Sequence, residues 1–354
     1  MRLIHCADIH LDSPMESNLS PKKARERGRE LRESFLRMVR YADECGVEAI
    51  LIAGDLFDAQ NVKRSTVAYV LETVAAYPHI GFYYLAGNHD RGAAPIAGET
   101  VPENLHTFRD AWTSYRVGDV TVTGSERPDA DTLSLDPTHV NFLLLHGQER
   151  AGKGTPSEDV IRLGLYKGKH IDYLALGHIH EYRQTRLDPR GVAVYSGCLE
   201  GRGFDECGEH GFVLLEVEDG RVSHKFIPFA TRRLHTVTVE IGEVTTHLGL
   251  EEAVQSAVAE IPSEDLVKVI LGGKRRAEAL PDTESLAAML APRFYFVKVR
   301  DESGLLIRPE DYQNDVSLKG EFIRRVMASK LPEQEKERII ACGLRALSGE
   351  ELGL

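Results

Sequence analysis

The chain opens on a short apolar run, RLIHCA (2–7), that ends in the polar tripeptide Asp8-Ile9-His10, and the same pattern then returns along the sequence. AILIAG (49–54) ends in Asp55, GFYYLAG (81–87) in Asn88-His89-Asp90, NFLLLH (141–146) in His146, and DYLALG (172–177) in His178-Ile179-His180. Each run is short, rich in aliphatic and aromatic residues, and reads as a buried strand. Between the first two, Leu31, Phe35, Met38, Val39 and Ala42 recur at helical spacing, with Gly46 as the expected stop. A second helix is predicted around 65–77, capped by Ser65 or Thr66. Further strands are predicted at VTVTG (120–124) and VAVYSG (192–197), and GFVLLEVE and RVSHKFIPF flank Asp219-Gly220, a hairpin-turn signal. Alternation of strand and helix that gives way to late antiparallel strands predicts an α/β fold of two packed sheets with helices outside.

From about residue 232 the pattern changes. LHTVTVEI, a helix through Leu250, Val254, Val258 and Ile261, the strand LVKVILGG, a helix near 283–291 and the strand FYFVKVR predict a small α+β domain over 232–305. Residues 306–354 give two amphipathic helices, with Leu318, Phe322, Val326 and Met327 on the first, Ile340, Leu344 and Leu347 on the second, and Pro332 at the start of the second. Such stripes must be buried, either back on the α+β domain or against a partner. A chain of 354 residues exceeds one ordinary core, so a division into 1–231, 232–305 and 306–354 is expected.

Composition adds boundaries. With 42% hydrophobic and 28% charged residues the chain belongs to the soluble globular class. No apolar stretch of about 18 residues is present and the first residues lack a secretion-signal core, so a cytoplasmic protein without a membrane anchor is expected. The five cysteines, at 6, 45, 198, 207 and 342, are odd in number and scattered, which argues for reduced thiols. The net charge of -12 argues against a generally basic nucleic-acid surface, although carboxylates that bind metal count as negative in that sum.

In open α/β sheets a ligand site lies beyond the carboxyl ends of the strands. The groups delivered there, carboxylates, imidazoles and one carboxamide, are metal ligands. Mixed nitrogen and oxygen donors suit manganese, iron, cobalt or zinc better than magnesium or calcium. Asp8, His10, Asp55, Asn88, His146, His178 and His180 are too many for one ion and enough for two, about 3.5–4 Å apart with a shared bridge, an arrangement used for in-line displacement at phosphorus. If the backbone stays extended, His178 and His180 face the same side.

The motifs D-x-H, GDLFD, GNHD, a lone His after a strand and GHIH, in this order between residues 8 and 180, resemble those of the calcineurin-like metallophosphoesterases, whose fold is a two-sheet sandwich flanked by helices. The wording ADIHLDSP, LIAGDLFD and LAGNHD, with a further domain after residue 230, is similar to the DNA-repair exonuclease branch that includes SbcD and YhaO-type proteins. The resemblance implies a first ion held by Asp8, His10, Asp55 and His180, and a second held by Asp55, Asn88, His146 and His178. It makes Asp55 the bridge and a water activated by the ions the nucleophile. It places His89 off the metals and against the scissile phosphate, as stabiliser or as acid to the leaving oxygen, with Asp58 fixing its tautomer. It further implies DNA as substrate, manganese as cofactor, a small capping domain, and terminal helices that grip a coiled-coil ABC-type ATPase of the SbcC or YhaN kind. It leaves a homodimer open. Archaeal and eukaryotic nuclease relatives carry His where this chain has Asp58, so their balance of exo- and endonuclease activity is not carried over.

Candidates for contact with substrate phosphates are Arg91, beside the third motif, and Arg202, in the loop SGCLEGRGFDE (196–206). The basic stretch PKKARERGRELRE (21–33) and Arg183, Arg186 and Arg190 either line a nucleic-acid path or form solvated faces. His5, out of phase with Asp8 and His10, reads as a core histidine. Gly147–Lys153 approaches a phosphate-binding G-x-x-x-x-G-K loop, but Gly154 stands where Ser or Thr is needed. Two other functions stay open. A phosphatase or small-molecule or cyclic-nucleotide phosphodiesterase would use the same metal core, but phosphatases resembling it have Arg-Gly after the second motif and Glu at the end of the third, where this chain has Ala59-Gln60 and Asp90. A non-catalytic scaffold subunit would not need the complete ligand set.

Overall fold

The computed structural model describes residues 1–15, 19–58, 62–90, 95–150, 159–242, 244, 246–275, 281–306 and 312–347. They form two compact units, Met1–Leu234 and His235–Leu354.

The first unit contains β1 (Arg2–Cys6), β2 (Ala49–Ala53), β3 (Gly81–Leu85), β4 (Leu105–Thr107), β5 (Thr113–Val117), β6 (Val120–Gly124), β7 (Val140–His146) and a short pair, β8 (Gln148–Glu149) and β9 (Val160–Ile161). It continues with β10 (Tyr173–Gly177), β11 (Arg183–Arg186), β12 (Val192–Tyr195), β13 (Gly211–Glu218) and β14 (Arg221–Pro228). One sheet has the order β14-β13-β1-β2-β3-β4 and the other β11-β12-β10-β7-β6-β5. β1 to β4 run parallel, as do β6, β7, β10 and β12, and antiparallel strands flank these parallel centres.

The sheets pack face to face, and side-chain alternation explains why the central strands are apolar throughout. Leu3 and Ala7 of the first motif face the other sheet, whereas Ile4 and Cys6 face the helices. In β7, Phe142 and Leu144 fill the space between the sheets while Leu143 and Leu145 pack outward with Leu163 and Tyr166. The fold is therefore an α/β two-sheet sandwich flanked by helices. His5 is fully buried between the sheets, its Nδ1 2.9 Å from the Tyr173 hydroxyl, and burial pushes its pKa down to about 3. The Asp219-Gly220 turn joins β13 to β14 with φ of 49° and 73°, the left-handed pair that a two-residue hairpin requires.

Helix α1 (Pro21–Glu44) starts ten residues before the apolar spacing begins, because its first turns are polar. Ser20 caps it and Pro21 occupies the first turn. Helix α2 (Arg64–Ala76) begins at Lys63 without a side-chain cap. Ser65 and Thr66 lie inside the helix, so the expected cap is not formed, and Thr66 is buried. Both helices cover the outer face of the first sheet through residues such as Phe35, Met38, Val67 and Val74.

A buried polar network fastens α1 to the loop after β12. Arg27 donates to Glu200 Oε2 at 3.1 Å, to the Gly201 carbonyl at 2.9 Å and to Glu30 at 2.5 Å. Glu200 also accepts from Ser34 Oγ and from the Thr231 amide, each at 2.6 Å. Arg27 and Glu200 are both buried.

The second unit is built on β15 (Leu234–Glu240), α3 (His247–Ala257), β16 (Leu266–Gly272), β17 (Lys274–Arg275), α4 (Thr283–Leu290), β18 (Phe296–Asp301) and β19 (Gly304–Leu305). Its sheet has the order β15-β16-β18, and Val239, Val254, Val267, Val269 and Leu286 form its core. The last two helices, α5 (Leu318–Met327) and α6 (Glu333–Leu347), pair with each other around Tyr312, Ile323, Ile340 and Leu344. The expected stripes are corrected at both ends: Leu318 is 71% exposed and Leu347 46%, and Ile323 takes the central place. Phe322, Val326 and Met327 pack against this small core. Among the described residues no helix is long and apolar enough to cross a membrane.

Replacing Glu200 by Ala strands the Arg27 guanidinium in the interior, a change that costs about 3–5 kcal/mol for a buried ion pair. Urea unfolding of Glu200→Ala against the parent chain checks this, and a cost below about 1 kcal/mol would show that the network does not hold α1 in place.

Candidate metal centre

The carboxyl ends of β1, β2 and β3 in one sheet and of β7 and β10 in the other open on one place. The Asp8 amide donates to the Gly54 carbonyl at 3.0 Å and the His10 amide to the Asp55 carbonyl at 2.9 Å, so the loop after β1 lies on the loop after β2. Asp8, His10 and Asp55 all hold left-handed backbone, with φ of 51°, 49° and 51°. Such non-glycine conformations are costly and cluster at functional sites. Two glycines let the sheets meet. A Cβ at Gly54 would stand 2.0 Å from His146 Nδ1, and one at Gly177 would stand 1.9 Å from the Ala53 carbonyl oxygen.

All of Asp8, His10, Asp55, Asn88, His146, His178 and His180 reach this place, in two overlapping groups. In the first, ligand atoms of Asp8, His10 and His180 lie within 4.8 Å of one another. His10 Nε2 faces His180 Nε2 at 3.3 Å. In the second, Asn88 Oδ1 is 2.9 Å from His146 Nε2 and 3.0 Å from His178 Nδ1. Asp55 Oδ2 stands between the groups, 3.3 Å from His146 Nε2 and 3.7 Å from His10 Nε2. The expectation that His178 and His180 look the same way does not hold. His178 has φ of 97°, which breaks the extended path and sends the two rings to different groups, while its amide donates to both Asp8 carboxylate oxygens at 2.9 Å.

The hydrogen bonds behind the rings decide which nitrogens carry lone pairs. His146 Nδ1–H donates to the Ala53 carbonyl at 2.9 Å, which leaves Nε2 directed at Asn88 Oδ1 and Asp55 Oδ2. His180 Nδ1–H donates to Glu206 Oε1 at 2.6 Å, which leaves its Nε2 directed at His10. The buried Nδ1 of His10 has no hydrogen-bond partner. Buried carboxylates this close together need neutralising positive charge, and imidazole, carboxylate and carboxamide are a donor set that fits divalent metal.

Titration behaviour agrees with that need for positive charge. Burial pushes the Asp8 carboxyl up to about 6, only partly offset by His146 and His180. Burial and the neighbouring Arg202 hold His10 far below the usual imidazole range, and burial with the nearby His146 lowers His178, so both imidazoles are neutral at neutral pH. Burial alone would lower His146 too, but its contact with Asp55 outweighs that and raises it to about 9, while Asp55 itself is held below the usual carboxylate range. A metal ion would displace the proton that His146 otherwise keeps.

Glu206 is a member of this centre that the strand-end pattern does not reveal, because it lies in the loop 196–206 with no motif of its own. Its carboxylate also accepts from the Arg202 amide and guanidinium, each at 2.8 Å, and is held below the usual carboxylate range despite burial, by His180 and Arg202. Arg202 Nη2 lies 3.0 Å from His180 Nδ1, which packs Arg202 behind that histidine. His89 is 42% exposed, with its ring edge-on to His10 and its Nδ1 3.7 Å from Asp58 Oδ1, an ion-pair distance too long for a hydrogen bond. The His89 amide donates to Asp55 Oδ1 at 2.9 Å. Asp90 turns inward and accepts from Tyr84, Gly87 and Phe57. Arg190 is bound to Asp172 and Arg186 to the Asp188 carbonyl, so both brace a turn. Arg91 and residues 151–153 of the G-x-x-x-x-G-K stretch lie outside the described residues.

The calcineurin-like phosphoesterase family matches residues 1–182. The chain is 26% identical over 314 residues to the uncharacterized metallophosphoesterase YhaO of Bacillus subtilis, an overlap of 77% of this chain and 72% of that one. It is 27% identical over 286 residues to the DNA double-strand break repair protein Mre11 of Methanopyrus kandleri, covering 69% of this chain and 60% of that protein's length. It is 20% identical over 278 residues to a component of the nuclease SbcCD of Staphylococcus epidermidis, covering 66% of this chain and 71% of that one. The matched segment is just over half of the 354 residues and ends at the last pair of histidines in the centre, so the chain belongs to the calcineurin-like phosphoesterase family.

Proposed function

We propose that the chain is a two-metal phosphodiesterase that hydrolyses DNA from its ends, with manganese as the working ion. The observation that carries this reading is the overlap at Asp55 of two groups of potential metal ligands, a set large enough for two cations. Asp8, His10, Asp55 and His180 would hold one and Asp55, Asn88, His146 and His178 the other. When bound, the ions supply a water of lowered pKa and stabilise charge developing on phosphorus. The protein's own part is to fix the rings through Ala53 and Glu206 and to place His89 at the open side. There the His89 imidazole, steadied by Asp58, would stabilise the phosphoryl oxygens or donate a proton to the leaving oxygen. DNA as substrate is supported by relatives named for DNA double-strand break repair and as part of a nuclease.

A coiled-coil ABC-type ATPase is proposed as partner, with α5 and α6 as its docking element and the β15-β16-β18 unit as a cap that selects DNA ends. The SbcCD relative is named as one component of a complex, and the α5–α6 pair has its own small core while presenting Leu318, Ile339 and Leu347 outward. Truncation after residue 306 is expected to keep hydrolysis of a small phosphodiester and to abolish co-purification with the ATPase. Retained binding by the truncated chain would remove the helices from that role.

Binding and chemistry separate at adjacent residues. Asn88→Ala is expected to lower bound manganese from two ions toward one per chain. His89→Ala keeps both ions and loses about 100- to 10,000-fold in turnover of bis-p-nitrophenyl phosphate. Metal analysis beside the assay decides it, and a fully active His89→Ala chain would exclude His89 from the mechanism.

Because the ligand set is rich in imidazole, manganese returned to chelator-stripped protein is expected to restore hydrolysis and magnesium alone to do so poorly. Equal rates with the two ions would contradict the ligand assignment.

A further inference from the structure

Beside the metal centre the chain has a groove of about 630 Å³, lined by Asp12, Ser13 and Pro14, by Lys63 and by the first turns of α1. Asp12 follows His10 by two residues, so the groove begins where the metal-centre loop ends. Its lining inverts the charge of the molecule. The chain as a whole carries 43 Lys and Arg against 55 Asp and Glu, yet Lys22, Arg25, Arg29, Arg32 and Lys63 line the groove against only Asp12 and Glu26.

The basic residues are deployed in two ways. Asp12 anchors the inner end, accepting from the Lys63 amide at 2.9 Å with Arg32 at 3.6 Å and Lys63 Nζ at 4.0 Å. Lys22, Arg25 and Arg29 are exposed, and among the described residues none of the three has an acidic partner. Their spacing, with Arg32, is i, i+3, i+7, i+10, which sets them along one face of α1 over about 15 Å. One strand of duplex DNA presents a phosphate about every 3.4 Å of axis, so the row matches roughly four phosphates. The lining beside this row is open. Gly28 sits mid-helix on the same lining, where glycine is conformationally costly, and a Cβ there would meet nothing within 4 Å.

We infer that this groove is the track for the phosphate backbone of the nucleic acid as it leaves the metal centre, and that it distinguishes polymer from small phosphodiesters. The inference rests on the proposed nuclease reading. Lys22, Arg25 and Arg29 contact phosphates outside the cleaved bond and take no part in chemistry. Asp12 holds the two inner cations at fixed distance from the metal-centre loop.

The test uses the full chain, stripped of metal so that DNA is bound but not cut, and a fluorescein-labelled duplex titrated across a range of salt. A Lys22→Ala/Arg25→Ala/Arg29→Ala variant removes three phosphate contacts. Each contributes a slope of about 0.9 in log K against log salt, or roughly fivefold near 0.15 M. Binding is expected to weaken on the order of 100-fold with a slope shallower by about 2 to 3. Gly28→Leu, which fills the floor without altering charge, is expected to weaken DNA binding as well. Both variants should melt like the parent and, with manganese restored, hydrolyse bis-p-nitrophenyl phosphate at the parent rate. DNA affinity and salt slope equal to the parent's, in a parent that does cut DNA, would overturn the groove while leaving the nuclease reading intact. A parent that hydrolyses the small diester but neither binds nor cuts DNA would overturn the nuclease reading and the groove's occupant with it. Displacement of the duplex by poly-glutamate as readily as by unlabelled DNA would assign the groove to acidic polypeptide instead.

Discussion

The carboxylate of Asp55 stands where the two sheets meet, and the rest of the centre is arranged around the need to satisfy it. One of its oxygens takes the His89 amide, and the other faces imidazole nitrogens from both sheets. A carboxylate with so little water must be neutralised, and its contact with His146 raises the pKa of that imidazole. The Asn88 carboxamide and the paired Nε2 atoms of His10 and His180 crowd the same place. Two cations there would draw on all of these donors at once.

That demand is met by a scaffold that accepts strain in order to bring acceptors together. Left-handed backbone at Asp8, His10 and Asp55 lets consecutive loops stack at the sheet ends, and glycines at 54 and 177 remove the side chains that would hold the sheets apart. The fully buried strands behind them supply the packing that over-determines these conformations. The Arg27–Glu200 network fastens α1 to the loop carrying Arg202 and Glu206, so the helix that forms the basic groove also steadies the support of His180.

Much of this was legible in the chain because two-faced burial writes itself as short apolar runs, and runs that all stop at acidic or imidazole residues mark a shared edge. The sandwich, the α1 and α2 positions, the β13–β14 hairpin and the convergence of the strand-end residues follow from that pattern. What escaped it depends on torsions and on contacts distant in sequence. The separation of His178 from His180 needs a positive φ that no spacing rule supplies. Glu206 is an unremarkable loop acid until His180 is placed beside it, and Arg202 reads as a surface cation until Glu206 is. The α5 stripe was displaced because Phe322 and Ile323 are both apolar, and only the position of α6 decides which of them is buried.

Whether the donors around Asp55 hold two ions is open to measurement. Anomalous scattering from crystals of the full chain grown with manganese tests it directly. Two peaks are expected about 3.5–4 Å apart, both within bonding distance of Asp55, one also bound by His10 and His180 and the other by Asn88 and His146. A single peak, or ions bound without Asp55 between them, would contradict this expectation.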